Sequence, residues 1–203
     1  MYQATFFGPL LVKTTVDQSL INVLLEEGNK TDLDMRPFLA GVLDKELRYT
    51  DQQLETIVPL IGPYIEQYIE QLKLCSHHSI DYCDIDFETI WINYQYPGNY
   101  NPLHSHNRDI SFVIYCDIPE AISQEEAINK APRPGAISFY DGTTSSYGDK
   151  VNKFLEPIRQ VDILPKTGDM FIFPAYLNHC VQAFKSDVVR ISVSGNVRLL
   201  NVT

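Results

Sequence analysis

The spacing of apolar residues changes several times along the chain. Residues 5–16 are apolar and β-branched, broken by a Gly-Pro pair, and they predict an early strand. From Asp17 to Glu27 apolar residues recur at helical spacing, which indicates a helix with Asp17 as its N-cap and Gly28 at its C-terminal cap. Residues 29–49 keep neither period, and we predict a loop there with some irregular structure.

A second helical pattern opens at Thr50. Gln53 stands at the capping-box position three residues later, and an apolar stripe with helical spacing follows. Proline removes a backbone donor and clashes with the preceding turn. We therefore expect Pro59 and the Gly62-Pro63 pair to kink or interrupt this helix.

From residue 85 onward the period is two, which is typical of strands. The first of these strands covers 85–96 and ends in the turn Pro97-Gly98-Asn99. Short strands with turn signals and no helix between them favour a sandwich or a barrel. The polar segments 119–134 and 141–157 are long enough to be functional loops. Further strands are predicted around 110–118, 135–140, 160–164, 168–173, 178–184 and 188–199.

Composition limits the classes of function. A chain of 203 residues, 44% hydrophobic and 21% charged, has the length and balance of one globular domain. A net charge of −10 disfavours a protein that grips a phosphate backbone. The four cysteines form no CxxC pair, so we expect reduced thiols. With no signal peptide or apolar run of membrane-spanning length, we expect a cytoplasmic protein without a membrane association.

Three of the five histidines suggest a metal site. His104 and His106 are one residue apart on an extended segment, so their side chains point to the same side. His179 is the expected third donor. Imidazole suits iron, zinc, copper and nickel, so this set of ligands does not choose the metal. The adjacent pair His77-His78 is predicted to be solvated in a polar loop.

An arginine on a later strand suggests an anion site beside the metal. Arg190 heads the segment 190–194 and is surrounded by apolar residues, so its guanidinium needs an anionic partner. Ser192 and Ser194 share its face at strand spacing. A guanidinium fork beside hydroxyl donors is suited to holding a carboxylate.

These segments together resemble the Fe(II)/2-oxoglutarate-dependent oxygenases. The likeness extends over roughly residues 85–198 and is most specific in the block 168–192. Among these oxygenases, the chain looks most similar to a branch found in bacteria and in viruses of cyanobacteria, with prolyl hydroxylases as the nearest analogy. The resemblance is carried by Trp91-x-Asn93, His104-x-His106, Ile110-Ser111-Phe112-Val113-Ile114-Tyr115, the segment 165–174, His179 and Arg190-Ile191-Ser192.

The resemblance implies a fold and a set of roles. The fold would be mainly β with N-terminal helices: a double-stranded β-helix, or jelly-roll and cupin-like barrel, over 85–199, with 1–84 as a helical support region of one domain spanning 1–203. Two imidazoles, His104 and His179, would bind Fe(II). Four side chains would hold the cosubstrate 2-oxoglutarate, with the guanidinium on its distal carboxylate: Arg190, Ser192, Tyr115 and Asn93.

Two positions depart from the pattern of these oxygenases. Most have His-x-Asp or His-x-Glu, whereas the second position here is His106. Either His106 is a ligand, which makes a site of three histidines, or Asp109 swings in from the following turn; strand alternation favours His106. Phe112 stands where relatives tend to have a glycine, and we expect it to narrow or reshape the pocket.

The resemblance implies an enzyme that consumes dioxygen and 2-oxoglutarate and hydroxylates an unidentified substrate. By analogy with prolyl hydroxylation the substrate is a protein or peptide side chain; a small molecule stays open, and the acidic chain makes nucleic acid an unlikely partner. The segment 141–157 is the expected lid. One alternative is a cupin-like metal or ligand-binding module without turnover. Another is a structural protein, in which His104→Ala and His179→Ala would leave the role intact.

Overall fold

The computed structural model describes residues 8–75, 82, 84–127, 131–142 and 160–200. Three α-helices lie in these ranges: α1 (Gln18–Gly28), α2 (Asp51–Cys75) and α3 (Glu120–Gln124), with a 3-10 helix at Arg36–Phe38. The strands are β1 (Val12–Thr15), β2 (Leu33–Asp34), β3 (Lys45–Arg48), β4 (Asp84–Gln95), β5 (Asn101–His104), β6 (Ile110–Asp117), β7 (Ile137–Tyr140), β8 (Gln160–Ile163), β9 (Asp169–Pro174), β10 (Asn178–Val181) and β11 (Arg190–Leu200).

The strands form two antiparallel sheets. The larger has the order β1-β9-β6-β11-β4-β3-β2 and the smaller the order β5-β10-β7-β8. Side chains from both sheets share one apolar cluster, including Tyr115 and Phe171 from the larger sheet and Ile137 and Phe139 from the smaller. The sheets therefore pack face to face, and the predicted double-stranded β-helix is confirmed.

The larger sheet is buried on both faces because β6 alternates between two cores. Phe112 and Ile114 belong to the cluster under the helices, whereas Val113 and Tyr115 face the smaller sheet. The helix-side cluster also contains Leu24 of α1 together with α2 residues. The two helices thus cover the outer face and leave the inner face for the site.

Phe112 is among the residues that line the cavity between the sheets, and its expected effect on the shape of the pocket stays a prediction. Its ring packs against Phe87 in the helix-side core, 6.5 Å between centroids. A Cβ on Gly195 would lie 2.4 Å from Phe112 Cζ. The glycine on β11 therefore makes room for the large ring on β6.

Helix α2 runs as one element from Asp51 to Cys75, so the prolines do not interrupt it, while the alternative of a kink stays a prediction. Pro59 and Pro63 are four residues apart and both exposed, so the carbonyls that lose their donors lie on the solvent side of the helix. The predicted capping box is confirmed: the Gln53 backbone N–H donates to Thr50 Oγ1, and the Thr50 N–H donates to Gln53 Oε1 at 2.8 Å.

The prediction of a loop over 29–49 is wrong, because β2 and β3 extend the larger sheet there. Side chains of β3 alternate, with Leu47 packed toward the helices and Glu46 facing the other way. The segment 119–134 likewise contains the short helix α3. The helix cap is one residue later than predicted, since Gly28 ends α1 and Asn29 is its C-cap.

Some expectations concern residues outside the described ranges. They are the solvated pair His77-His78 and, from residue 143 onward, the lid predicted over 141–157. Over the ranges that are described, no helix has the length and apolar character needed to cross a membrane.

Candidate metal centre

Three imidazoles converge where β5 and β10 pair. His104 is the last residue of β5 and lies opposite His179 on β10, while His106 follows two residues after the strand. Ring centroids are 4.3 Å apart for His104 and His179, 5.0 Å for His104 and His106, and 5.2 Å for His106 and His179. One nitrogen from each ring lies within 4.8 Å of the others, which is close enough to hold a metal ion.

Backbone carbonyls orient two of these rings. The carbonyl oxygen of Pro102 lies 2.7 Å from His104 Nδ1, and that of Leu177 lies 2.9 Å from His179 Nδ1. A carbonyl only accepts, so each Nδ1 carries a proton, and in the neutral ring Nε2 is then the nitrogen with a free lone pair. This outer hydrogen bond is the usual support for a histidine that binds a metal through Nε2.

The environment keeps two of the imidazoles neutral. Burial, reinforced by the charge of His104, lowers the pKa of His179 to about 3 and that of His106 to about 4. Only a neutral imidazole offers a lone pair to a metal. Three imidazole nitrogen donors fit a divalent transition metal such as iron, so the donor set suits the metal that the resemblance implies.

Asp109 lies outside this cluster. Its Oδ2 accepts a hydrogen bond from the Leu199 backbone N–H at 2.8 Å, which turns the carboxylate toward the end of β11. Of the two alternatives for the second ligand, the structure brings His106 next to the other imidazoles. The backbone N–H of His106 donates to Ala175 O at 2.8 Å and ties this turn to the end of β9.

Arg190 is a buried cation without an anion. It is only 4% exposed, and among the described residues no carboxylate oxygen lies within 4.0 Å of its guanidinium. Nη1 donates to Gly135 O at 2.7 Å, whereas Nε has no partner. Burial lowers the pKa of Arg190. An anionic ligand would compensate this guanidinium.

The other predicted residues lie in one row across the larger sheet. Ser192 on β11 is opposite Asn93 on β4 and opposite Tyr115 on β6. The Tyr115 ring is 5.4 Å from the Arg190 guanidinium, its hydroxyl has no partner, and burial raises its pKa to about 12. Asn93 Nδ2 donates to Ser194 Oγ at 3.1 Å, while Asn93 Oδ1 has no partner. The row therefore offers unused polar atoms to a ligand.

A single cavity between the sheets connects the imidazoles to the arginine. All seven residues predicted for the site line it: His104, His106, His179, Arg190, Ser192, Tyr115 and Asn93. The structure thus brings together residues that lie up to about a hundred positions apart along the chain, the longest step being Asn93 to Ser192.

Sequence reasoning missed part of the cavity. Glu46, Asn101, the segment 39–41 and Leu43 also line it. The signal was present in the spacing of Leu43, Leu47 and Tyr49, which share one face at the period of a strand.

Comparison with known protein families settles the class of protein. A sequence model of the family described as "Putative 2OG-Fe(II) oxygenase" matches residues 89–196, more than half of the chain. The chain belongs to this 2OG-Fe(II) oxygenase family. It is therefore a dioxygenase whose cofactor is Fe(II) and whose cosubstrate is 2-oxoglutarate. No curated protein matches the oxygenase in sequence.

Solved structures share the fold of the oxygenase. The viral collagen prolyl hydroxylase of Paramecium Bursaria Chlorella virus-1, in complex with 2-oxoglutarate, is 15% identical, with a TM-score of 0.55 over 94% of this chain and 96% of that one. A Pseudomonas putida prolyl-4-hydroxylase is 12% identical, with a TM-score of 0.53 over 93% and 92%. HygX of Streptomyces hygroscopicus, with nickel, 2-oxoglutarate and hygromycin B bound, is 10% identical, with a TM-score of 0.55 over 95% and 83%.

Proposed function

We propose that His104, His106 and His179 hold the iron of this oxygenase and that it hydroxylates a protein or peptide side chain. The reaction converts a C–H bond, dioxygen and 2-oxoglutarate into an alcohol, succinate and carbon dioxide, with the bound iron supplying the oxidation chemistry. Three protein ligands leave other coordination positions open to the cosubstrate and dioxygen.

The assignment of the cosubstrate rests on one observation, the buried and unpaired Arg190 in the cavity of the three imidazoles. We assign its guanidinium to the distal carboxylate of 2-oxoglutarate, with Ser192, Tyr115 and Asn93 as hydrogen-bonding neighbours. The sheets around them exclude water, which strengthens every charged contact in the cavity.

The net charge and the shared fold favour a peptide as the substrate. A net charge of −10 disfavours nucleic acid. Prolyl hydroxylases are among the proteins that share the fold.

The described cysteines Cys75, Cys116 and Cys180 are unpaired, which supports a reducing, cytoplasmic setting.

The test is an anaerobic titration of the metal-free protein with Fe(II) and then 2-oxoglutarate, followed by visible absorption. We expect a charge-transfer band that reports 2-oxoglutarate bound to the iron. Arg190→Ala should weaken 2-oxoglutarate binding by about 10-fold or more, since it removes charge-assisted hydrogen bonds. His179→Ala should abolish the band by removing a ligand.

Arg198→Ala is the matched control. Arg198 lies on the same strand but is exposed, where it pairs with Glu88. This variant should keep the band at unchanged 2-oxoglutarate concentrations. Bound iron without a band in the wild-type protein would contradict the assigned site and would favour the cupin-like binding module.

A further inference from the structure

The cavity contains a second buried charge, on the side of β3. Glu46 is 1% exposed, and its Oε2 has no hydrogen-bond partner. Asn101 Oδ1, also buried and unpartnered, is its neighbour: both Glu46 Oε1 and Asn101 Oδ1 lie within 3 Å of the position a Cβ on Gly41 would take. Two acceptor oxygens thus lie close together, and neither Glu46 Oε2 nor Asn101 Oδ1 accepts a hydrogen bond from the described residues.

This acceptor pair lies on the far side of Asn93 from Ser192 and Arg190. Glu46 lies opposite Asn93 on β4, and Asn93 lies opposite Ser192 on β11. Strands β3 and β11 are therefore two strand spacings apart, roughly 10 Å. The arginine that fits an anion and the carboxylate that fits a cation thus occupy different parts of one cavity.

The acceptor oxygens of Glu46 and Asn101 suit a ligand group that is a cationic N–H donor. A buried carboxylate is costly unless a charged or hydrogen-bonding partner compensates it, and an amide oxygen beside it accepts a further hydrogen bond. Burial raises the pKa of Glu46 to about 7, with a further contribution from the charge of Asp34. A bound cation would restore the ionised carboxylate.

Exposed apolar side chains lie close in sequence to residues that line the cavity. Of the nine exposed large hydrophobic side chains in the described part of the chain, five are within three positions of a lining residue. Hydrogen bonds between the backbones of residues 42 and 100 tie two of these five together. We call these five the apolar rim: Phe38, Val42, Tyr100, Leu103 and Tyr176.

We propose that the oxygenase recognises a peptide through a lysine or arginine side chain whose cationic end is bound by Glu46 and Asn101. This inference rests on the proposed function. The methylene stem of such a side chain passes Leu39 and Leu43, which line the cavity, and the flanking peptide covers the apolar rim. The net charge of −10 complements a basic peptide.

The probes are four peptides, acetyl-Gly-Phe-X-Phe-Gly-amide, with X as lysine, arginine, norleucine or proline. Binding is measured by anaerobic calorimetry to protein loaded with Fe(II) and 2-oxoglutarate, so that no turnover occurs. We expect the dissociation constants of the lysine and arginine peptides to be at least about 10-fold lower than that of the norleucine peptide. The reason is that a charge-assisted hydrogen bond is worth about 1.5–3 kcal/mol.

Two variants test the acceptor pair. Glu46→Gln should bring the lysine and norleucine peptides to within about 2-fold of each other, and Asn101→Leu should reduce the preference about 3-fold or more. Glu55→Gln is the matched control, because Glu55 is exposed on α2 outside the cavity, and it should keep the full preference. A structural role for Glu46 would instead appear as a lower melting temperature of Glu46→Gln.

The proposal is overturned if the norleucine or proline peptide binds as tightly as the basic ones, if no basic peptide binds, or if Glu46→Gln keeps the preference. Cadaverine binding as tightly as the lysine peptide would overturn the peptide assignment. The charge-transfer band of the wild-type protein is measured without peptide, so failure of the iron and 2-oxoglutarate site is seen separately from failure of this inference.

Discussion

Unpartnered polar atoms concentrate in the cavity. Buried side-chain atoms without a hydrogen-bond partner occur on eight described residues, and five of these residues line the cavity: Glu46, Asn93, Asn101, Tyr115 and Arg190. Each such atom costs about 1–3 kcal/mol in the absence of a partner. The free energy of unfolding is therefore lowered where ligands bind, and ligands that complete these hydrogen bonds raise it.

The variant Tyr115→Phe tests whether the unpartnered Tyr115 hydroxyl serves ligand binding rather than the stability of the fold. Because the Tyr115 hydroxyl has no partner in the protein, its removal should leave the free energy of unfolding unchanged or raise it by up to about 1 kcal/mol. The same change should weaken 2-oxoglutarate binding by about 5-fold, since one hydrogen bond is lost. Chemical denaturation and the charge-transfer titration measure the two effects.

Tyr68→Phe provides the comparison. The Tyr68 hydroxyl donates to Leu10 O at 3.0 Å, so this variant should lose about 1 kcal/mol of stability and keep its affinity for 2-oxoglutarate. Destabilisation of Tyr115→Phe with unchanged binding would refute the assignment of this hydroxyl to the cosubstrate.

The pairing of β6 with β11 supports the site at the scale of elements. Inward-facing residues of these two strands include Arg190, Ser192 and Tyr115, which we assign to the cosubstrate, while outward-facing residues fill the core under α1 and α2. Phe112 and Gly195 are cross-strand neighbours on the outward face, and the ring occupies the space above the glycine. The position of the inward-facing residues therefore depends on how Phe112 packs against Gly195 on the other face of the same strands.

Gly195→Ala should disturb that packing. The new Cβ would lie 2.4 Å from Phe112 Cζ and 3.2 Å from Ile90 Cγ1, so we expect a loss of about 1–3 kcal/mol in the free energy of unfolding. Adding Phe112→Leu should restore part of it by vacating the space. Chemical denaturation measures both.

Gly62→Ala is the matched control for that change. Gly62 lies within α2, and apart from its chain neighbours a Cβ there would meet nothing within 4 Å. The free energy of unfolding should change by less than about 1 kcal/mol, since the higher helix propensity of alanine is opposed by its contact with the Pro63 ring. Equal effects of the two alanines would show that the contact with Phe112 is unimportant.

At the scale of the whole molecule, Glu46 makes stability depend on pH. Burial raises its pKa from 4.5 to about 7, so between these values the folded protein binds more protons than the unfolded chain. Stability contributed by the protonated group is fully present below about pH 4.5 and is lost as pH rises through about 7. Nearby Asp34 adds to this shift and Arg36 opposes it.

Comparison of wild-type protein with Glu46→Gln isolates this effect. The two metal-free proteins should be nearly equally stable at about pH 4, and by pH 8 the variant should be more stable by about 2–3 kcal/mol. Denaturant midpoints across this range give the difference at each pH. A difference that does not change with pH would mean that the Glu46 carboxyl titrates normally.

Much of the fold and site followed from local patterns. Period-two alternation after residue 85 indicated the strands, and the Thr50 and Gln53 pattern indicated a helix start that the structure confirms. The His-x-His pair, the third histidine and the arginine on an apolar strand pointed to a metal and an anion. These features could be predicted from the sequence because each depends on residue type and spacing within one short segment.

The tertiary structure determined the features that depend on how the chain brings distant segments together. The turn after β5 brings His106 to the other imidazoles and directs Asp109 to β11, a choice that spacing left open. The exposure of Pro59 lets α2 continue, and pairing with β4 turns the segment around Glu46 into a strand whose carboxylate faces the cavity. Spacing determines which side chains share a face, but only long-range packing determines what that face meets.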